Sequence, residues 1–165
     1  MLIGILSDTH GTLSPAAYAE VADCDHIIHA GDTCGPAILA ELSELAPVTA
    51  VLGNNDYDEY GADVTHFATP VIGGVRFLIA HTPGDLKRAL RGMTSALQPG
   101  DPVPHVAVHG HTHVPEMLRG KDASPASLLL CPGSVTRPRG GSKRTVIKLQ
   151  VQDGAVQDVS FVELR

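Results

Sequence analysis

Short apolar runs, each cut off by a polar or glycine-bearing loop, set the rhythm of the chain. Residues 2–6 are continuously apolar and stop at Ser7-Asp8-Thr9-His10-Gly11, as a buried strand does where it enters a loop. Ser14 then offers an N-cap with Pro15 at the first helical position, predicting a helix over 15–22. A second strand over 26–30 ends at Gly31-Asp32. Gly35-Pro36 opens a helical stretch over 37–46, with Ile38, Leu42 and Leu45 on one stripe. A third strand over 48–52 ends at Gly53-Asn54-Asn55-Asp56. Strand, loop, helix, strand is the order of βαβ units, which predicts a parallel sheet with ligands at the carboxyl ends of its strands.

The pattern then shifts. Residues 65–72 and 75–80 flank Gly73-Gly74, a two-residue hairpin signal, and the second arm ends at His81. Leu86, Leu90, Met93 and Leu97 share one stripe, which predicts a helix over 85–98. A strand over 105–108 leads into His109-Gly110-His111-Thr112-His113. Strands follow at 116–119 and 128–130, and 144–151 and 155–162 flank the turn Gln152-Asp153-Gly154. The expectation is a parallel core in the first half and antiparallel strands in the second, as two packed sheets with helices outside.

Composition changes this picture little. A chain of 165 residues with 43% hydrophobic and 18% charged content is globular, and its length fits one domain over 1–165. A net charge of −6, without a long basic run, argues against an extended nucleic-acid face. A small phosphate substrate needs only a local positive site. Three cysteines without a CxxC pair suit a reduced, cytoplasmic setting, with Cys24 and Cys34 as packing residues. No apolar run approaches the ~20 residues of a membrane span. Nothing in the chain specifies an oligomer, and a homo-oligomer is left open.

The groups standing just after the apolar runs are chemically uniform. Asp8, His10, Asp32, Asn54, His81, His111 and His113 are all carboxylates, imidazoles or an amide. Parallel strands bring their ends to one edge, so these groups are expected to meet there. Seven ligands are too many for one ion and suit two, with a shared carboxylate between them. Oxygen and imidazole donors without a thiolate suit divalent manganese first, with nickel, iron or zinc as alternatives. Each residue also has a plain reading: Asp8 as a helix cap, Asp32 and Asn54 as turn residues, the histidines as packing.

Asp8-x-His10, Gly31-Asp32, Gly53-Asn54-x-Asp56, His81 and Gly110-His111-x-His113 stand in the order of the calcineurin-like metallophosphoesterases. The chain resembles most the small bacterial and archaeal phosphodiesterase branch, whose Pro-Gly-Ser and Pro-Arg segments are similar to Cys131-Pro132-Gly133-Ser134 and Pro138-Arg139. The resemblance implies an α/β fold, an αββα sandwich of two mixed sheets flanked by helices. It implies a phosphodiesterase with two divalent cations: Asp8, His10 and His113 on one, Asn54, His81 and His111 on the other, Asp32 bridging. A bridging hydroxide would attack phosphorus. The alternatives are a phosphomonoesterase, or a protein-binding scaffold like the retromer subunit of the same fold.

Two departures qualify it. Many relatives carry a histidine after the motif asparagine; here it is Asn55, which donates a hydrogen bond but supplies no proton. The candidate catalytic group is thus Asp32, Asn54, Asn55 and Asp56, the last expected to brace its loop or a ligating histidine. His81 precedes Thr82-Pro83, where relatives more often have glycine. Arg137 and Arg139 are candidates for pairing with a substrate phosphate, or simply a solvated basic loop. His26, His29, His66 and His105 are read as structural, His109 as packing behind the ligands. Loops 56–63, 82–86 and 133–142 are expected to wall the substrate pocket.

Overall fold

The computed structural model describes residues 1–57 and 59–165; Asp58, in one of the loops expected to wall the pocket, lies outside the described residues. In chain order the elements are β1 (Leu2–Leu6), α1 (Pro15–Val21), β2 (His26–His29), α2 (Pro36–Ser43), β3 (Val48–Ala50), β4 (Phe67–Ala68), β5 (Val71–Ile72), β6 (Val75–Ala80), α3 (Pro83–Leu90), β7 (Val106–Val108), β8 (Pro115–Arg119), β9 (Leu128–Pro132), β10 (Thr145–Gln152) and β11 (Ala155–Glu163). One sheet has the order β11-β10-β1-β2-β3 and the other β4-β6-β7-β9-β8, with β5 also on β6.

Side-chain alternation assigns the layers. Ile3, Ile5 and Ile28 point between the sheets, where they meet Phe77, Ile79, Val106, Val108, Leu130 and Ile147. Their chain neighbours point outward: Leu6, Ile27 and Val146 pack on Ala17, Val21, Ile38 and Leu42 of α1 and α2. Leu78, Ala80, Ala107 and Leu129 pack on Leu86 and Ala89 of α3. Central strands buried on both faces are what made these segments read as unbroken apolar runs. The expected fold class, two mixed sheets flanked by helices, is what forms.

Three expectations need correction. The second half is not simply antiparallel: β6, β7 and β9 run parallel, with β4, β5 and β8 antiparallel at the margins. The helix expected over 85–98 begins and ends earlier, at Pro83 and Leu90. Gly92 takes φ 67°, Met93 N donates to the Arg88 carbonyl at 2.9 Å, and Gly92 N donates to Ala89 at 2.9 Å. This left-handed closure stops the helix, so Met93 is 62% exposed despite its helical spacing. The strand expected over 65–72 is broken into β4 and β5, because Pro70 has no N–H to give the ladder and serves only as acceptor, from Phe77 N at 2.9 Å.

Candidate metal centre

The loops that follow β1 and β2 are laced to each other beyond the strand ends. Asp8 N donates to Gly31 O at 3.0 Å, His10 N to Asp32 O at 3.0 Å and Gly11 N to Thr33 O at 2.7 Å. The lacing holds side chains at unusual backbone angles. Among the described residues seven non-glycines have positive φ, and six of them are Asp8, Asp32, His10, Cys34, His111 and His113. Each costs of order 1–3 kcal/mol, a strain that persists only where the surroundings enforce it and that collects at functional sites. The surroundings here are specific: the hydroxyls of Ser134 and Thr136 donate to Asp8 O at 2.8 and 2.9 Å, and Ser7 Oγ donates to Asp8 Oδ2 at 2.6 Å. The Pro-Gly-Ser segment at the end of β9 thus clamps the first acid from behind. At Gly110 a β-carbon would stand 2.8 Å from Ala30 O and 2.9 Å from Asp8 Oδ2; at Gly53 it would overlap the Asp32 backbone. These two glycines are there for close approach.

The side chains converge in two groups around the carboxylates. Asp8, His10 and His113 bring one ligand atom each within 4.8 Å of one another, as do Asp8, Asp32 and His81. Asp8 Oδ1 lies 3.1 Å from His113 Nε2 and 3.9 Å from both His10 Nε2 and His81 Nε2. Asp32 faces both groups, with Oδ1 3.4 Å from His81 Nε2 and Oδ2 3.9 Å from His10 Nε2. His111 and Asn54 stand together at the rim, His111 Nδ1 2.8 Å from Asn54 Oδ1, with the His111 ring edge-on to His81 at 5.2 Å. His111 and His113 therefore part company, as alternate residues on an irregular turn.

The hydrogen bonds fix which nitrogens face inward. His81 Nδ1 is 2.8 Å from Ala30 O and His113 Nδ1 is 2.6 Å from Arg137 O. Each Nδ1 must carry its proton toward that carbonyl, which leaves the Nε2 lone pairs aimed at carboxylates. Asp8 Oδ1 and His81 Nε2 are buried with no hydrogen-bond partner among the described residues. Buried acceptors facing acceptors call for a cation or a proton between them. Burial opposes protonation of His81, yet the Asp32 carboxylate, the Ala30 carbonyl and Asp8 lift its pKa above the ordinary histidine value. Burial also works against the charge on Asp32, but the neighbouring His81 imidazole and the hydrogen bonds from Asn55 hold its carboxyl well below the usual range. Burial lowers the His10 pKa against the pull of Asp32 and Asp8. Two carboxylates and three imidazoles at one locus, with the His111 imidazole and the Asn54 amide at its rim, form a donor set that fits first-row divalent ions.

The remaining predicted residues take other positions. Asn55 reaches Asp32 rather than open space: its N–H donates to Oδ1 at 2.8 Å and its amide to Oδ2 at 2.6 Å. Asp56 accepts from Thr33 N, Cys34 N, Gly53 N and Tyr60 Oη, and so braces the loops. Arg137 and Arg139 are exposed on the rim beside His113, tied in by their backbones. His109 is buried, its Nδ1 2.9 Å from Gly110 O. Two residues given no site role from the sequence, Cys34 read as packing and His29 as structural, stand against the site. Cys34 Sγ lies 3.7 Å from His10 Nδ1. His29 bridges the two acid loops, with Thr9 Oγ1 3.1 Å from Nε2 and Thr33 Oγ1 3.2 Å from Nδ1. The signal for His29 was present: a strand-end histidine opposite threonines that flank both acids.

Residues 1–154 match the calcineurin-like phosphoesterase superfamily domain. A probable metallophosphoesterase of Methanocaldococcus jannaschii is 36% identical over 160 residues, covering 93% of this chain and 77% of its own. A second, of Methanothermobacter thermautotrophicus, is 36% identical over 148 residues, 84% of this chain and 80% of its own. Among solved structures, an archaeal phosphodiesterase superposes with TM-score 0.74 at 24% identity over 99% of this chain and all of its own. A Vps29 of Entamoeba histolytica, a single mutant, gives 0.71 at 17% identity over the full length of both; these two likenesses concern the fold. The matched span and the identity to the two archaeal relatives leave one conclusion about descent: this chain belongs to the calcineurin-like phosphoesterase superfamily.

Proposed function

We propose that the protein is a dinuclear-metal phosphodiesterase. The observation that carries the reading is the pair of buried acceptors, Asp8 Oδ1 and His81 Nε2, left without a hydrogen-bond partner among the described residues, in a ring of imidazoles and carboxylates. Asp8, His10 and His113 would hold one ion, Asn54, His81 and His111 the other, and Asp32, which faces both groups, would join them. Two divalent cations held there, manganese in the first instance, would acidify a water between them and neutralise the phosphoryl oxygens.

The chain's own groups do the positioning. Asn55 keeps Asp32 ionised and oriented through two donated hydrogen bonds. Ala30 and Arg137 carbonyls fix the tautomers of His81 and His113 so that Nε2 faces inward. Arg137 and Arg139 offer exposed cations at the rim for one phosphate oxygen. A phosphomonoester dianion asks for more charge than that, which favours the diester monoanion. With the Asn55 amide engaged by Asp32 and holding no acidic proton to give a leaving group, aryl diesters are expected to react faster than alkyl ones.

The test is hydrolysis of bis-p-nitrophenyl phosphate and of p-nitrophenyl phosphate on one preparation, after chelation and after adding Mn²⁺, Ni²⁺, Fe²⁺ or Zn²⁺. Diester turnover that needs metal and exceeds the monoester rate is expected. A faster monoester would make it a phosphomonoesterase. No turnover with any ion would favour a scaffold role, which the likeness in fold to Vps29 supports.

A further inference from the structure

Beside His81 and Asn54 lies a pocket of about 140 Å³ whose other walls are Leu52, Gly53, His66, Thr82 and Asp85. None of His66, Thr82 and Asp85 belongs to the metal-facing groups. Two local devices build the pocket. Thr65 forms a parallel bridge with Val51, and Leu52 N donates to Thr65 O at 2.8 Å, which brings His66 alongside the Gly53-Asn54 turn. On the other side Thr82 caps α3: Asp85 N donates to Thr82 Oγ1 at 3.0 Å, and that hydroxyl donates to Asp85 Oδ2 at 2.8 Å. The carboxylate is thereby held in a set direction. Its contact with Arg88, at 3.6 Å between exposed groups, neutralises little of it.

Resting on the diesterase reading above, we propose that this pocket is the subsite for one alcohol arm of the substrate, and that it takes a small alcohol that is not anionic. Size comes first. At ~30 Å³ per water-sized group, the pocket of about 140 Å³ holds about four or five such groups, close to the size of a glyceryl or choline arm and far short of a nucleoside. Charge comes second. The fixed Asp85 carboxylate accepts hydrogen bonds from hydroxyls, attracts an ammonium group and repels an anionic arm. His66 sets the size limit. It also lines a neighbouring cleft of about 440 Å³ that includes Tyr60 and Val64, so His66 stands, with Leu52, between the two spaces.

The experiment varies one arm and keeps the leaving group. Metal-loaded enzyme is given p-nitrophenyl diesters whose second arm is glyceryl, cholinyl, 3-carboxypropyl or thymidinyl, and p-nitrophenolate release is followed. The glyceryl and cholinyl arms are expected to exceed the other two in kcat/KM by about tenfold. Asp85→Asn, which retains a capping side chain, is expected to remove the penalty on the carboxylate arm and to lower the cholinyl rate, so that the two arms converge. His66→Ala, at an exposed position, is expected to open the way between the two spaces and raise the thymidinyl rate alone. Independently of turnover, titration of the protein with glycerophosphocholine is expected to shift the His66 ring resonances. If bis-p-nitrophenyl phosphate is hydrolysed but all four arms react alike, the subsite falls and the diesterase stands. If no diester is hydrolysed, the diesterase reading falls first and the subsite with it.

Discussion

His29 makes the stability of the metal-free protein depend on pH in a way that can be calculated. Its ring is fully buried between Thr9 and Thr33, and burial, against the opposing pull of Asp56, brings its pKa down to about 4 from the ordinary 6.5. The folded protein therefore keeps His29 neutral where the unfolded chain takes up a proton. Stability is at its full value above pH 6.5, falls as pH drops from 6.5 to about 4, and is flat below. At ~1.36 kcal/mol per pKa unit, a group with these two values loses about 2.5 kcal/mol between pH 7.5 and 4.5. The perturbation is His29→Gln, which keeps an amide between the two threonines and cannot titrate. Urea unfolding of both proteins in chelator, at several pH values, gives the difference between the curves and so cancels the other histidines. At pH 7.5 the variant is expected to be less stable by about 1–3 kcal/mol, the cost of poorer buried hydrogen bonds. That gap is expected to close or invert by pH 4.5. A constant gap across the range would refute the account, because it would mean that His29 ionises alike in both states.

Three further outcomes are expected at the site. Asn55→Ala removes the side-chain donor on Asp32 and is expected to weaken metal binding by about 10–100-fold in calorimetric titration; an unchanged affinity would show that Asp32 needs no such support. Gly110→Ala drives a methyl against Ala30 O and Asp8 Oδ2 and is expected to cost more than ~2 kcal/mol in urea unfolding and to abolish metal uptake. Adding Mn²⁺ at about 100 times its dissociation constant is expected to stabilise the protein by ~2.7 kcal/mol, and Asp8→Asn to remove most of that gain in a thermal unfolding assay.

Why much of this was readable from the chain is a matter of topology. A carboxylate or imidazole just past an apolar strand can be located without knowing the rest of the fold, because parallel strands share an edge. Asp8, His10, Asp32 and His81 were visible for that reason, whereas the separation of His111 from His113 came from the family resemblance and not from their spacing. The helix stop at Gly92 was less visible, since Met93 and Leu97 continue the stripe and only the backbone angle at Gly92 ends it. The supporting partners were not visible at all. Asn55 reads as a hydrogen-bond donor for the transition state until Asp32, from another loop, takes its backbone N–H and its side-chain amide. Ser134 stands in a family-like Pro-Gly-Ser segment whose purpose, with that of Thr136, appears only when both hydroxyls are found on the Asp8 carbonyl.

By itself, then, the amino-acid order determined the strands, their buried faces and the identity of the groups at their ends. These depend on local pattern: a run of apolar side chains must be buried, and the polar residues at its end must leave the sheet. Only the tertiary structure decided which protons point where, which acid faces both groups and how large a space remains beside His81. Those depend on atoms from loops far apart in sequence meeting within hydrogen-bond distance, and periodicity along a chain carries no record of such distances.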